Sequence, residues 1–199
     1  MRPASLLCAG ALAITALSGC SDPEGERALN AAAEAAKAAE EKAREAAAAT
    51  REAERLADLW TYSDTPAGKG RQLSAYLFSA EPVETDGQGE KRIQLVFRDH
   101  PSWGRSSYLV LQGGDFNCYS GCTVQVKVDD APPKPMAGRR PKTDEAIAMF
   151  INDEAALWRM TAGAKRISIE FPVRAGGTRN AAFEVSGLDR SKMPGWDLQ

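Results

Sequence analysis

Between Ala28 and Leu59 the chain places 15 alanines and 12 charged residues in 32 positions, with neither glycine nor proline among them. Alanine loses no side-chain entropy in a helix and the long charged residues lose little, so this stretch predicts a continuous helix over 28–59. Ser21-Asp22-Pro23 supplies capping and first-turn chemistry, and Glu24 and Glu26 put negative charge near the positive end of the helix dipole. Glu40 with Arg44 is a favourable pair four residues apart, which Glu41 with Glu45 opposes. A heptad seam from Leu29 through Ala32, Ala36, Ala39, Ala43 and Ala46 to Trp60 is nearly all alanine. Each alanine buries too little surface to drive association strongly. The expectation is therefore a monomeric, solvated spacer about 48 Å long at 1.5 Å per residue. Stalk self-association as a coiled coil is the alternative.

Ahead of this stalk, Arg2 precedes an apolar run from Leu6 to Leu17 that ends in Leu17-Ser18-Gly19-Cys20. A membrane-spanning helix needs about 20 apolar residues, and this run is much shorter, so residues 1–19 read as a removable signal peptide. Leu17-Ser18-Gly19-Cys20 resembles a bacterial lipobox. The resemblance implies cleavage before Cys20, a thioether-linked diacylglycerol on its sulfur, and a further acyl chain such as palmitate on the new amino terminus. Several acyl chains anchor stably where one does not. Ser21, where lipoproteins retained at the inner membrane of enteric bacteria carry aspartate, implies the outer membrane. A periplasm-facing domain is the expected orientation. Residues 20–27 then form the lipidated N-terminus and a short linker. The stalk resembles in composition the helices of the major outer-membrane lipoprotein type, but the terminal lysine that joins that family to the cell wall has no counterpart in Leu198-Gln199.

Charge and residue counts narrow the function classes. Lys and Arg number 25 against 27 for Asp and Glu, a net charge of −2, which argues against a nucleic-acid binder. One histidine, His100, is present, which removes most histidine-based metal sites and Ser/His/Asp arrangements. No cofactor is expected.

From Trp60 onward the period changes from helical to alternating. Arg92–Arg98 alternates Ile93, Leu95 and Phe97 with Gln94 and Arg98, and Thr123–Val128 alternates Val124, Val126 and Val128 with Gln125 and Lys127. Arg166–Val173 repeats the pattern, and 73–79, 107–111 and 181–185 are further expected strands. Turn signals fall at Asp86-Gly87, Gly113-Gly114 and Gly176-Gly177. One short helix is expected from Asn152 or Asp153 to Gly163, with Ala156, Leu157 and Met160 on its apolar face and a short strand over 146–151 before it. Pro132, Pro133, Pro135 and Pro141 mark an extended loop carrying Arg139, Arg140 and Lys142 as a positive patch. The fold class is mainly β with one short helix, an antiparallel β-sandwich-like domain over 60–190, with 191–199 as a C-terminal tail.

Gly114-Asp115-Phe116-Asn117-Cys118, the run from Cys122 through Val128 to Asp129-Asp130, Ala164-Lys165-Arg166-Ile167-Ser168-Ile169-Glu170 and Phe183-Glu184-Val185-Ser186-Gly187-Leu188 form a series over Trp60 to Leu188. It resembles a module recurring in bacterial envelope proteins, and less closely the β-domains of type VI secretion accessory proteins. The resemblance implies a compact antiparallel domain and carries no catalytic residues.

Several candidate sites can be weighed on chemistry. Cys118 and Cys122 form an even pair in an oxidising compartment and are expected to bridge, joining one strand end to the next strand start. Their spacing is not that of thioredoxin motifs, and further zinc ligands are lacking nearby. Asp99-His100-Pro101-Ser102 brings acid, imidazole and hydroxyl together in sequence, but neighbours along an extended chain point to opposite sides. His100 is read as a surface-turn residue. Asp129 and Asp130 are read as starting a turn before Pro132. Trp158 is expected in the core. Trp103 is expected to be partly buried against the domain, although its large ring with one polar edge also suits a sugar or a partner. Trp103, Arg105, Arg139 and Arg140 are the candidate partner-binding residues. The expected function is a noncatalytic binding domain presented on a lipid-anchored spacer, with the membrane held through Cys20 and an envelope protein or cell-wall component as partner. The alternatives are an envelope enzyme acting on cell-wall glycan through Asp129, Asp130 or His100, and a structural lipoprotein associating through its stalk.

Overall fold

The computed structural model describes residues 23–141 and 147–197. Residues 1–22, with the expected signal peptide and Cys20, and residues 142–146, with Lys142, lie outside the described residues. Two compact units divide the chain, Met1–Ala47 and Ala48–Gln199. The described part of the first unit is helix throughout. This helix, α1 (Pro23–Asp58), starts at a proline whose fixed φ suits a first turn, and it buries no residue. Among the described residues no helix is long and apolar enough to cross a membrane.

The second unit begins with the last turns of α1 and is otherwise mainly β. Its strands are β1 (Thr61–Ala67), β2 (Gly70–Phe78), β3 (Val83–Glu84), β4 (Glu90–Lys91), β5 (Gln94–His100), β6 (Gly104–Val110), β7 (Cys122–Val128), β8 (Lys134–Arg139), β9 (Ala148–Ile151), β10 (Arg166–Pro172) and β11 (Thr178–Glu184). Helix α2 (Glu154–Met160) lies between β9 and β10, and two 3₁₀ turns, Arg190–Lys192 and Pro194–Trp196, follow β11. Nine strands form one antiparallel sheet in the order β1-β2-β5-β6-β9-β8-β7-β10-β11, while β3 and β4 make a separate ribbon.

The two stacked sheets of a sandwich are thus replaced by one continuous sheet. Its ends draw together: Ala80 N, just past β2, donates to Ala182 O of β11 at 2.8 Å. Leu77 of β2 and Phe183 of β11 belong to the same buried cluster. A twisted sheet of nine strands can cover its own apolar face by curling, which removes the need for a second sheet.

Strand alternation builds the core. Ala75 and Leu77, Leu95 and Phe97, Val124 and Val126, and Ile167, Ile169 and Phe171 are all buried. Phe97 is the hub, its ring 5.1 Å from Trp158, 5.4 Å from Trp196 and 6.3 Å from Trp60 between centroids. Helix α2 is capped by Asp153, whose side chain accepts from Ala156 N at 3.0 Å, and it contributes Leu157 and Trp158. Trp158 donates its indole N–H to Asp197 at 3.0 Å, and Arg190 binds the same carboxylate at 2.8 Å. Met193 and Trp196, from the stretch read as a tail, are core residues.

Two strands depart from the expected pattern. β1 lacks apolar alternation, and it forms at the sheet edge by pairing with β2 from Thr61 to Ala67. β8 occupies the proline-rich stretch expected to be a loop. Pro135 is tolerated there because β9 pairs with β8 only at Gly138 and Arg139, so the proline's missing N–H interrupts no ladder on that side.

Candidate functional site

The outward-facing residues of the sheet divide into two kinds. On β7, β10 and β11 they are polar, with Gln125 and Lys127, Ser168 and Glu170, and Asn180 as cross-strand neighbours. On β2, β5, β6, β9 and β8 aromatic and aliphatic residues form a continuous row among Ser74, Gln94, Arg98 and Ser106. Tyr76 pairs with Val96, Val96 with Tyr108, Tyr108 with Phe150, and Phe150 with Arg139, giving one row in register across five strands. At about 4.8 Å between strands the row spans about 19 Å. Phe78 and Val110 face outward beside it, and Phe78 is 42% exposed.

Arg98 lies next to this row, opposite Ser106 in the register. Its guanidinium carbon is 5.5 Å from the Trp103 ring centroid, 5.4 Å from Tyr108 and 5.9 Å from Phe150. Arg139 stands 5.2 Å from the other side of the patch at the Phe150 ring. Rings hold both cations in place, since their negative faces attract a guanidinium. Arg98 Nε and Ser106 Oγ are buried without a hydrogen-bond partner among the described residues. The Tyr108 hydroxyl has its pKa raised by burial, which the Arg98 charge partly offsets.

Trp103 is 71% exposed, not packed against the domain. It occupies the β5–β6 turn, where His100 stacks on it at 3.9 Å between centroids. His100 Nδ1 accepts from Ser102 N at 3.1 Å and Trp103 N at 3.3 Å, so the imidazole closes the turn and presents the indole.

The four candidate partner-binding residues separate accordingly. Trp103 and Arg139 belong to one face, linked through Arg98, Tyr108 and Phe150. Arg105 does not join them: it donates to Gly195 O at 3.2 Å and lies 5.9 Å from the Trp196 ring, holding the C-terminal segment. Arg140 is also held internally, with its side chain only 6% exposed and paired to Asp115 at 2.7 Å. It braces the loop of the Cys118–Cys122 disulfide, whose Cα atoms are 5.0 Å apart, through Arg140 N donating to Cys118 O at 3.2 Å. Burial raises the Asp115 carboxyl, but hydrogen bonds from Tyr119 and Arg140 outweigh it and hold the pKa below the ordinary value. The disulfide packs on Met149, and Gly138 leaves room for both sulfurs because a Cβ there would lie 3.0 Å from Cys122 Sγ.

The enzyme candidates are not assembled. Asp129 sits at φ 46° and accepts from Lys165 N and Arg166 N, closing the junction between β7 and β10. Three strands of the sheet order separate β7 from β5, where His100 lies. Among the described residues no group of three or more His, Cys, Asp or Glu side chains could hold a metal ion.

Arg98, Tyr76, Tyr108 and Phe150 are functional-face residues that residue type alone did not single out. A signal was present: Ala75-Tyr76-Leu77-Phe78 and Tyr108-Leu109-Val110-Leu111 are apolar on both parities, the pattern of strands covered on both faces. Comparison with family models, with curated proteins and with solved structures finds no match to this chain.

Proposed function

We propose that this protein is a lipid-anchored envelope protein, held through Cys20 in the outer membrane and facing the periplasm, whose helical spacer presents a noncatalytic binding domain. The domain engages another envelope component through the Trp103, Arg98, Tyr108, Phe150 and Arg139 face. The observation that carries this reading is the exposed Trp103 beside Arg98, with Arg139 held at the Phe150 ring across a largely aromatic outward row. Trp, Tyr and Arg are the residues that dominate binding energy in interfaces; Trp103 and Phe78 are exposed, Tyr76, Tyr108 and Phe150 are half-buried, and Val96 is buried between them. The anchor rests on Leu17-Ser18-Gly19-Cys20 and the apolar run before it.

Two measurements test the reading. Cys20→Ser is expected to abolish lipid labelling and leave unprocessed precursor; undiminished labelling would remove the anchor. A photo-crosslinking residue at position 103 in cells is expected to yield a discrete adduct that the same residue at Thr178, on the polar half, does not. Equal adducts from both positions would remove the face.

A further inference from the structure

Building on that reading, we propose that the aromatic and cationic face docks an extended, acidic segment of another protein. Its carboxylates meet Arg98 and Arg139, and its apolar side chains cover the Tyr76 to Phe150 row.

Charge carries the argument. Among the described residues, the outward positions of β2, β5, β6, β8 and β9 that make the patch include Arg98 and Arg139 and no carboxylate. Arg140, Arg190 and Arg55 of the domain are paired with acids, Asp115, Asp197 and Glu184 in turn, and Arg105 is held by the Gly195 carbonyl. Arg98 is instead positioned by three rings, and its Nε is sealed without an acceptor. A guanidinium fixed by stacking has already lost its side-chain freedom, so pairing its remaining N–H groups with a carboxylate costs little further ordering. The row of about 19 Å matches about six residues of extended chain at 3.3 Å each.

Other occupants fit less well. A second copy laid face to face would bring two more arginines and no carboxylate to the interface, so its buried cations would go unneutralised. A sugar needs a free aromatic plane. One plane of Trp103, the only exposed indole among the described residues, is taken by His100, and Arg98 approaches the same ring.

The test uses the full lipid-bearing chain in neutral detergent with three acetylated, amidated hexapeptides: leucine alternating with glutamate, with glutamine, or with lysine. Trp60, Trp158 and Trp196 are buried, so acrylamide quenching of tryptophan fluorescence reports Trp103. The glutamate peptide is expected to shield Trp103 and to bind about tenfold more tightly than the glutamine peptide, with an advantage that shrinks as salt rises. Arg139→Gln, at an exposed position, should lose several-fold of that advantage with an unchanged melting curve, and it remains informative should Arg98→Gln fail to fold. Equal binding of the glutamate and glutamine peptides, tighter binding of the lysine peptide, shielding by chitotetraose but by no peptide, or concentration-dependent shielding without any peptide would each overturn the proposal. A position-103 adduct in cells combined with charge-blind peptide binding would leave the binding face standing and remove the acidic occupant. Selective glutamate-peptide binding without a cellular adduct would do the reverse.

Discussion

Phe97 and Arg98 are adjacent on β5 and serve opposite faces of the sheet. Phe97 is fully buried against Trp158, Trp196 and Trp60, while Arg98 lies among Trp103, Tyr108 and Phe150 on the outer side. The period of two in a strand sends neighbouring side chains to opposite faces, so one segment anchors both the core and the candidate binding surface. The two roles make separable predictions. Phe97→Ala should destabilise the domain by about 3–5 kcal/mol, the range for deleting a buried aromatic ring. Trp103→Ala should leave stability within about 0.5 kcal/mol, as for exposed positions. Urea denaturation of both variants checks this, and a large loss for Trp103→Ala would mean that the ring supports the fold.

The end of α1 is part of the β-domain. Arg55 pairs with Glu184 at 2.9 Å, and the Leu56 carbonyl lies where a Cβ on Gly187 would have to go. The ion pair is exposed and contributes little, so the close backbone approach is the more telling contact. Gly187→Ala should cost about 2 kcal/mol through overpacking against backbone that cannot yield. A fragment starting at Ala48 should melt several degrees above one starting at Trp60. Equal melting temperatures for the two fragments would show that the helix end adds nothing to the domain.

Closing a loop of five residues, the Cys118–Cys122 bridge should contribute about 2 kcal/mol in the chain-entropy account. The double variant Cys118→Ala, Cys122→Ala is expected to lose about that much in guanidinium unfolding while retaining the sheet's circular dichroism signal. Protein isolated without reductant should show no alkylatable thiol at either position. Full alkylation of both would disprove the bridge.

The acid limb of stability should carry a signature of Asp115. Its folded pKa lies below the ordinary carboxylate value of about 4. Its stabilising contribution is therefore complete above that unfolded value and is lost as pH falls through the lower folded value. The melting-temperature gap between the native chain and Asp115→Asn should be widest near pH 6 and narrow steadily below pH 4. A gap constant from pH 6 to pH 2 would show that the Tyr119 and Arg140 contacts do not favour the ionised form.

Much of the secondary structure was legible in local patterns. β5, β7 and β10 overlap the segments that alternation marked, β11 overlaps the further strand expected over 181–185, and α2 starts at the Asp153 cap and ends before Gly163. Helix α1 follows from alanine content and the lack of breakers, which act within a few residues along the chain. The bridge between Cys118 and Cys122 was equally local. β1 and β8 were not legible, because a strand without apolar alternation exists only by virtue of its neighbour. Pro135 is compatible with a strand only where β9 stops short, and the pairing of β8 with β9 is a tertiary fact.

The candidate face was legible least of all. Trp103 and Arg139 could be picked out by residue type, yet type alone equally suggested Arg105 and Arg140, which the fold holds in internal contacts. What joins Trp103 to Arg139 is the register that lines Tyr76, Val96, Tyr108 and Phe150 across β2, β5, β6 and β9, with Arg98 beside them. By itself the sequence determined the helix, most strands and the parity of each strand's side chains, because those depend on near neighbours. Only the tertiary structure decided which strands lie side by side, because that order follows from how a single curling sheet buries its inner face. Strand order in turn determines which outward side chains become neighbours.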